Sequence, residues 1–212
     1  MEQRTDSLPA PGTPQPRLDQ QPATPAGAIS PDECDPDVSA CVAGNDAAFV
    51  RLLRRHEAAL ARQVGRFSRD PRVREELLQE VLVEVYFALP RYRPGPAPLD
   101  HWLGRIATRV GYRFWKHEAR RGRHVPLDGV EVAAAVRPAA EPAEAATLLH
   151  ALLARLKPAD RLVLTLIYFE DCSTKQVAQR TGWNRAMVKM RALRARRKLK
   201  TIIETEHLLD RF

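Results

Sequence analysis

Apolar side chains recur at the three- to four-residue spacing of helices along most of the chain, and strand-like alternation persists nowhere. The first such stretch predicts a helix over 45–67. A second helix is expected to start at Asp70-Pro71, because aspartate is a favoured N-cap and proline suits the first helical position. It should stop at Pro90, because proline cannot continue a helix.

Later stretches continue the same pattern. A third long helix is expected to begin with Asp100 as its cap and to end at about Arg121, where Gly122 follows. Beyond a proline-punctuated break, 148–156 and 158–169 have the spacing of a helical hairpin. The folded parts of the chain are therefore predicted to be helical throughout.

The stretch 173–200 predicts two more helices around a tight turn. Ser173 followed three residues later by Gln176 has the form of a capping box, which starts a helix. Gly182 supplies the backbone freedom that a sharp turn needs, and Asn184 is a good N-cap for the next helix. A short helix, a glycine turn and a second helix form the helix-turn-helix layout that reads the DNA major groove.

These patterns predict an all-α fold of two small helical domains joined by a flexible linker, the C-terminal domain being the helix-turn-helix. The domains are expected at 35–122 and 147–205. Prolines and alanines in 123–146 indicate a linker. The proline-rich segment 1–34 cannot bury a core and is predicted to be a disordered tail, and 206–212 is a short C-terminal tail.

The last predicted helix is strongly basic. Its positive residues are Arg185, Lys189, Arg191, Arg194, Arg196, Arg197, Lys198 and Lys200, with no acid among them. The chain's net charge of +8 is concentrated in the two predicted domains, because the tail and the linker are acidic. A solvated surface helix is the alternative, but such like charges repel one another unless a polyanion binds, so DNA is the favoured partner.

Cysteines and histidines indicate no metal or catalytic centre. Cys34, Cys41 and Cys172 form no CxxC pair and have no zinc-ligand spacing, and the six histidines are scattered. The odd cysteine number favours a reducing cytoplasmic setting, although a regulatory Cys34–Cys41 disulfide stays open. No apolar run approaches the ~20 residues of a membrane helix, so no membrane insertion is expected.

The helix predicted over 70–89 has two different faces. One is an ordinary apolar core stripe. The opposite face mixes carboxylates with apolar side chains, which favours docking onto a basic, amphipathic protein surface over simple solvation. The predicted protein-docking residues are Glu76, Gln79, Glu80, Val83 and Phe87.

The third helix combines basic and aromatic side chains opposite its core stripe. These residues are Trp102, Arg105, Arg109, Tyr112, Arg113, Lys116 and Arg120. Cations follow phosphates while rings stack on exposed bases, so the pattern favours unpaired nucleic acid. The alternative is that Trp102 and Tyr112 simply complete the core, as aromatic residues usually do.

Three motifs in order make the chain resemble bacterial sigma factors of the extracytoplasmic-function (ECF) group of the sigma-70 family. EELLQEV at 75–81 is similar to the acidic segment with which this family grips the polymerase clamp helices. Trp102 to Ala107 match its WLxxIA pattern, which starts the helix that binds the −10 element. Short patterns within 161–196 resemble its −35-binding domain.

The resemblance implies a non-enzymatic specificity subunit with no cofactor. It implies that the 76–87 face binds the β and β′ subunits of core RNA polymerase and that the third helix captures the opened −10 strand of promoter DNA. The expected −35-binding residues are Ser173, Asn184, Arg185, Met187, Lys189, Met190, Arg191 and Arg194. A cytoplasmic, nucleoid-associated protein follows, and an anti-sigma factor stays open as a further partner.

Departures from the family and two rival functions qualify this expectation. Arg109 and Arg113 stand where the family usually has asparagine and aspartate, which should strengthen phosphate contact and alter base preference. A helix-turn-helix regulator that never joins polymerase would leave both helix faces before residue 122 unused. An enzyme acting on nucleic acid would need clustered carboxylates or histidines, which the sequence lacks.

Overall fold

The computed structural model describes residues 35–93, 98–122 and 142–205, and within these ranges the chain is helical and contains no strand. The predicted all-α class is confirmed there. The helices are α1 Pro36–Val42, α2 Asp46–Val64, α3 Pro71–Ala88, α4 Leu99–Arg120, α5 Pro142–Ala154, α6 Pro158–Phe169, α7 Thr174–Thr181 and α8 Arg185–Thr205. A 3-10 turn over Leu89–Arg91 follows α3. Helices α1–α4 are called the N-terminal module below, and α5–α8 the C-terminal module.

Side-chain caps explain where several helices begin. Asn45 accepts a hydrogen bond from the Ala48 amide at 3.0 Å, and Asp70 accepts one from the Arg72 amide at 2.9 Å. The same aspartate–proline pattern starts α1, where Asp35 caps the helix ahead of Pro36. Helix α1 was not predicted from the sequence, although this local signal was present.

The predicted cap of α4 is wrong. The helix begins at Leu99, with Pro98 in the cap position and no side-chain cap bond. Asp100 instead lies in the first turn and pairs with His56, with 2.7 Å between the carboxylate oxygen and Nδ1. The predicted end is confirmed, because α4 stops at Arg120 and Gly122 adopts a φ of 68°.

The expected linker ends earlier than predicted. Helix α5 starts at Pro142, so the last residues of the 123–146 segment are helical. Residues 123–141 lie outside the described ranges, as do the predicted tails 1–34 and 206–212. The flexibility expected for these segments stays a prediction.

Both modules contribute to one hydrophobic core. Leu52, Val81 and Val110 are buried where α2, α3 and α4 meet. Leu166 and Val188 are buried where α6 packs on α8, and they belong to the same connected cluster of side chains. The two modules therefore pack directly on each other, with α4 of the first against α6 and α7 of the second.

The turn after α2 requires a glycine on α4. Phe67 is buried against Trp115, with 4.6 Å between ring centroids, and its carbonyl accepts a 2.8 Å hydrogen bond from the Trp115 indole. A Cβ atom at Gly111 would lie 2.3 Å from the Phe67 ring. Glycine at 111 thus allows the Phe67 ring to lie directly against the α4 backbone.

Gly111→Ala should lower the free energy of unfolding by about 1–3 kcal/mol, because the added methyl group displaces a packed ring. Gly104→Ala is the matched control on the same helix, where the nearest atom to a new Cβ is Gln63 Oε1 at 3.5 Å. It should be neutral or stabilising by up to ~1 kcal/mol, since alanine favours helix. Urea unfolding followed by circular dichroism measures both, and equal stability of the two variants would contradict the proposed ring contact.

Candidate nucleic-acid interface

The helix-turn-helix is formed by α7 and α8, as predicted. Ser173 and Gln176 form the capping box, with the Ser173 amide donating to Gln176 Oε1 at 2.8 Å. Gly182 ends α7 with a φ of 73°, in the left-handed region that glycine adopts without strain. Asn184 Oδ1 accepts a 2.7 Å hydrogen bond from the Met187 amide and so starts α8. Local sequence signals therefore position the first turn of α8.

Five of the eight residues assigned to duplex recognition are exposed at the start of α8, namely Asn184, Arg185, Lys189, Met190 and Arg194. Ser173 is also exposed, but at the start of α7. Met187 is half-buried and packs against the core. Because the early turns of a recognition helix reach base edges, this cluster has the position that direct readout needs.

The expectation that Arg191 faces DNA is wrong in this arrangement. Arg191 is half-buried, donates to Asp160 Oδ1 at 3.2 Å, and lies 4.8 Å from the centroid of the Trp183 ring. The helical period puts position 191 on the side of α8 that faces α6, away from the exposed side of the helix. Arg194 is mostly exposed and approaches Asp160 only to 3.8 Å.

The outer face of α3 is acidic and apolar, as the sequence predicted. Glu76, Gln79 and Glu80 are exposed there, and Phe87 keeps 69% of its surface in contact with solvent. Val83 is exposed between them. Patches of large exposed apolar side chains rimmed by charge are typical of protein-binding surfaces.

Tyr86 also belongs to this surface, although the sequence did not predict it. Its exposed ring lies 5.6 Å from the Phe87 ring and 5.0 Å from the Phe49 ring of α2, between ring centroids. The signal was available, since Tyr86 follows Val83 by three residues and so shares its helix face. The exposed apolar surface thus extends from α3 towards α2.

A carboxylate of α3 binds two of the α4 arginines. Glu84 Oε2 accepts from Arg109 Nε at 3.2 Å and from Arg109 Nη2 at 2.7 Å. Its other oxygen, Oε1, accepts from Arg113 Nη2 at 2.6 Å, and Arg113 also pairs with Glu80. Burial raises the pKa of Glu84, but the hydrogen bonds from both arginines outweigh it, so the pKa is below its ordinary value.

Trp102 and Tyr112 were predicted to be exposed opposite the core stripe of α4, and this is wrong. Trp102 is 8% exposed and packs on Tyr92, with 4.9 Å between ring centroids. Tyr112 is 7% exposed and lies edge-on to Trp183 of the C-terminal module at 5.8 Å. Tertiary packing buries both rings, as the alternative interpretation expected.

The basic residues of the same face stay at the surface to different degrees. Arg105 and Arg109 are half-buried, whereas Arg113 and Arg120 are exposed. Burial lowers the pKa of Arg105, and the neighbouring Arg109 lowers it further. Lys116 lies above the Tyr112 ring at 5.7 Å from its centroid. The cations form a row along α4, while the rings lie beneath it.

The contact between modules depends on stacked and paired arginines. The Arg161 guanidinium of α6 lies 3.9 Å from the centroid of the Trp115 ring of α4. Burial lowers the pKa of Arg161 to about 10. Burial also lowers the pKa of His150, and the positive charge of Arg161 adds to this effect, so that the His150 pKa is about 4. Glu170, just after α6, pairs with Arg66 of the N-terminal module and with Arg180 of its own module.

Three buried donors at or beside this contact have no hydrogen-bond partner among the described residues. They are Arg161 Nε, Trp183 Nε1 and Arg191 Nε. Each buried donor left without an acceptor costs about 1–3 kcal/mol.

The described residues contain no group of three or more histidine, cysteine or acidic side chains placed to hold a metal ion. Cys41 and Cys172 are buried free thiols, and burial raises the pKa of each. Cys34, the other member of the disulfide left open above, lies outside the described residues. No described helix is long and apolar enough to cross a membrane.

Two family models match the chain, one in each module. The model for sigma-70 region 2 matches residues 52–121, and that for sigma-70 region 4 matches residues 146–199. An RNA polymerase sigma-E factor of Streptomyces avermitilis is 28% identical over 160 residues, covering 76% of this chain and 87% of that protein.

Solved structures share the fold. The structure of CnrH in complex with the cytosolic domain of CnrY is 24% identical, with a TM-score of 0.53, and covers 80% of this chain and 96% of that one. The sigma factor RpoE in complex with the anti-sigma factor NepR, from Bartonella quintana, is 21% identical, with a TM-score of 0.50, and covers 74% and 96%.

Glu170→Gln should loosen the contact between the modules, because a neutral amide cannot pair with two guanidinium groups through charge. A loss of about 2 kcal/mol would multiply the separated fraction about thirtyfold. Exchange of the Trp183 indole proton, followed by NMR, measures this opening, because the indole is buried where Tyr112 covers it. The exposed neighbour Asp171→Asn should leave the exchange rate unchanged, and unchanged exchange in Glu170→Gln would refute the pairing role.

Proposed function

Because this chain belongs to the ECF group of sigma factors in the sigma-70 family, we propose that its two modules divide the recognition of a promoter between them. A sigma factor joins core RNA polymerase, directs it to promoters and starts transcription. The observation that carries the proposal is that regions 2 and 4 match the two modules separately and in order. A regulator that binds duplex DNA alone would have no use for region 2.

The outer face of α3 binds core polymerase in this proposal. Its exposed carboxylates and the exposed Phe87 ring support a contact with a basic surface that also carries apolar side chains. Glu76 and Gln79 are the polar contacts we assign, with Val83 and Phe87 as the apolar ones. Glu80 is shared between this face and Arg113.

The basic row of α4 captures the opened −10 strand. Arg105, Arg109, Arg113, Lys116 and Arg120 supply cations for the phosphates. Tyr112 can stack on a base only after Trp183 has moved away, because the C-terminal module covers its ring here. Strand capture by Tyr112 therefore requires separation of the modules, whereas Trp102 acts from beneath by supporting the helix.

The start of α8 binds the −35 duplex. Arg185, Lys189 and Met190 are exposed on its first turns, where side chains of a recognition helix meet base edges. Arg194 lies one turn further on and contacts phosphate. Arg191 contributes indirectly, by holding α8 on Asp160.

The remaining parts of the proposal concern setting and partners. The protein acts as a binding subunit, not as an enzyme, and works in the cytoplasm at the nucleoid. One solved relative is bound to an anti-sigma factor. An anti-sigma factor is accordingly the further partner we propose for this chain.

Glu76→Arg should weaken binding to core polymerase at least about tenfold, because it places a cation on the acidic docking face. Glu57→Arg is the matched control, since Glu57 is exposed on α2 and belongs to neither surface. Gel filtration or fluorescence titration with purified core measures the affinity, and circular dichroism checks that both variants keep their helices. Unaltered core affinity in Glu76→Arg would remove this face from the proposal.

Arg194→Ala should weaken binding to every duplex similarly and flatten the plot of log affinity against log salt by about 0.9, the change expected for one lost phosphate contact. Arg54→Ala, exposed on α2, removes the same charge from the other module and should leave the slope unchanged. Fluorescence anisotropy with duplex promoter fragments measures both slopes. A sequence-dependent loss for Arg194→Ala would show that it contacts bases instead.

A further inference from the structure

We infer that Glu84 is a positioning residue for promoter opening, because its carboxylate holds Arg109 and Arg113 of α4 in fixed orientations towards the −10 strand. This inference rests on the proposed function of α4. No −10 contact is assigned to Glu84 itself. Its role is to fix the direction in which Arg109 and Arg113 donate hydrogen bonds, because a freely moving arginine would bind any phosphate.

The carboxylate has a defined place because its helix is anchored on both sides of it. Val81 and Val85, three residues before and one residue after Glu84, are fully buried against the core. The Glu84 side chain keeps 21% of its surface exposed, so it lies at the edge of the core beside α4. A carboxylate on such a rigid element can orient a partner more closely than one on a loop.

Each oxygen of Glu84 serves a different arginine. Oε2 receives both the Nε and Nη2 groups of Arg109, and Oε1 receives Nη2 of Arg113. These bonds leave Nη1 of Arg109 and both Nε and Nη1 of Arg113 for other acceptors. An arginine held by part of its fork loses less conformational freedom on binding and discriminates better between acceptors.

Repulsion among the arginines of α4 favours carboxylates beside them. Arg105, Arg109 and Arg113 follow one another at four-residue spacing on α4, where like charges repel. Glu84 lies between the last two, and Glu80 pairs with the outer one.

The geometry predicts what removing the Glu84 charge does to the two arginines. In Glu84→Gln the side chain keeps its size, but the amide nitrogen cannot accept a hydrogen bond, so only one arginine can stay bound at position 84. Because Arg113 keeps Glu80 as a partner, Arg109 is the arginine that the substitution can release completely. The released arginine is free to bind any phosphate. We therefore expect stronger binding to single strands in general and weaker preference among sequences.

The test uses holoenzyme reconstituted from purified core polymerase and the full chain, with Glu84→Gln compared against Glu57→Gln. Glu57 is exposed on α2 and belongs neither to the α4 network nor to the polymerase-docking face, so it controls for the lost charge. One probe is a labelled twelve-nucleotide oligothymidine, and the other is a randomised single strand of that length, selected by binding and sequenced.

For Glu84→Gln, the oligothymidine affinity should rise about fivefold at 0.1 M salt, with a salt slope steeper by about 0.7, as one added phosphate contact predicts. Strands selected by Glu84→Gln should show a weaker base preference at one or two adjacent positions than strands selected by the wild type. Glu57→Gln should match the wild type in both assays. A role for Glu84 in stability alone would lower binding to all probes and could not raise affinity.

The outcomes distinguish this inference from the proposed function. If wild-type holoenzyme binds single strands no better than core alone, strand capture by α4 fails and the positioning role fails with it. If the wild type selects sequences and Glu84→Gln selects them equally well, only the positioning role is wrong. Should Glu84→Gln lose helical content, an Arg109→Gln, Arg113→Gln double variant must itself show relaxed selection, and intact selection there would overturn the inference.

Discussion

Helix α4 is packed from two directions, by α2 and α3 of its own module and by α6 and α7 of the other. Ten of its 22 residues are buried, so little of the helix is left for ligands except the row of arginines and Lys116. That constraint shapes the function proposed for α4. The cations lie at the edge of a core, where Glu84 of α3 binds two of them, and the Tyr112 ring is covered by Trp183 of the C-terminal module.

The contact between the modules differs from an ordinary core. It contains the Arg161 guanidinium stacked on Trp115, and three buried donors without acceptors lie at or next to it. Fully packed cores satisfy nearly all such groups. In the proposed function the two modules separate to reach DNA elements at separate positions. Glu170 opposes that separation by pairing with an arginine from each module.

Features set by neighbouring residues were predictable from the sequence. The caps at Asn45, Asp70, Ser173 and Asn184, the left-handed glycine at 182 and the exposed docking face of α3 all follow local rules of spacing and hydrogen bonding. The burial of Trp102, Tyr112 and Arg191 was not predictable, because a helical wheel identifies faces but not the second element that covers them. The Glu84 network was also beyond the pattern, since the distance between α3 and α4 side chains depends on tertiary packing. The Asp100 cap was wrong because α4 begins one residue earlier, at Leu99, which puts Asp100 inside the first turn, where it pairs with His56.

The central claim is that the chain directs core polymerase to promoters through two separate elements. Run-off transcription tests it most directly, with purified bacterial core polymerase on genomic fragments and sequencing of the transcript starts. The account predicts that adding the chain starts transcription at discrete sites that share paired upstream elements, one for each module. Core polymerase alone should start at none of these sites. Initiation no faster than with core alone on every fragment, while the chain still binds duplex DNA, would contradict the account and favour a regulator that acts without joining polymerase.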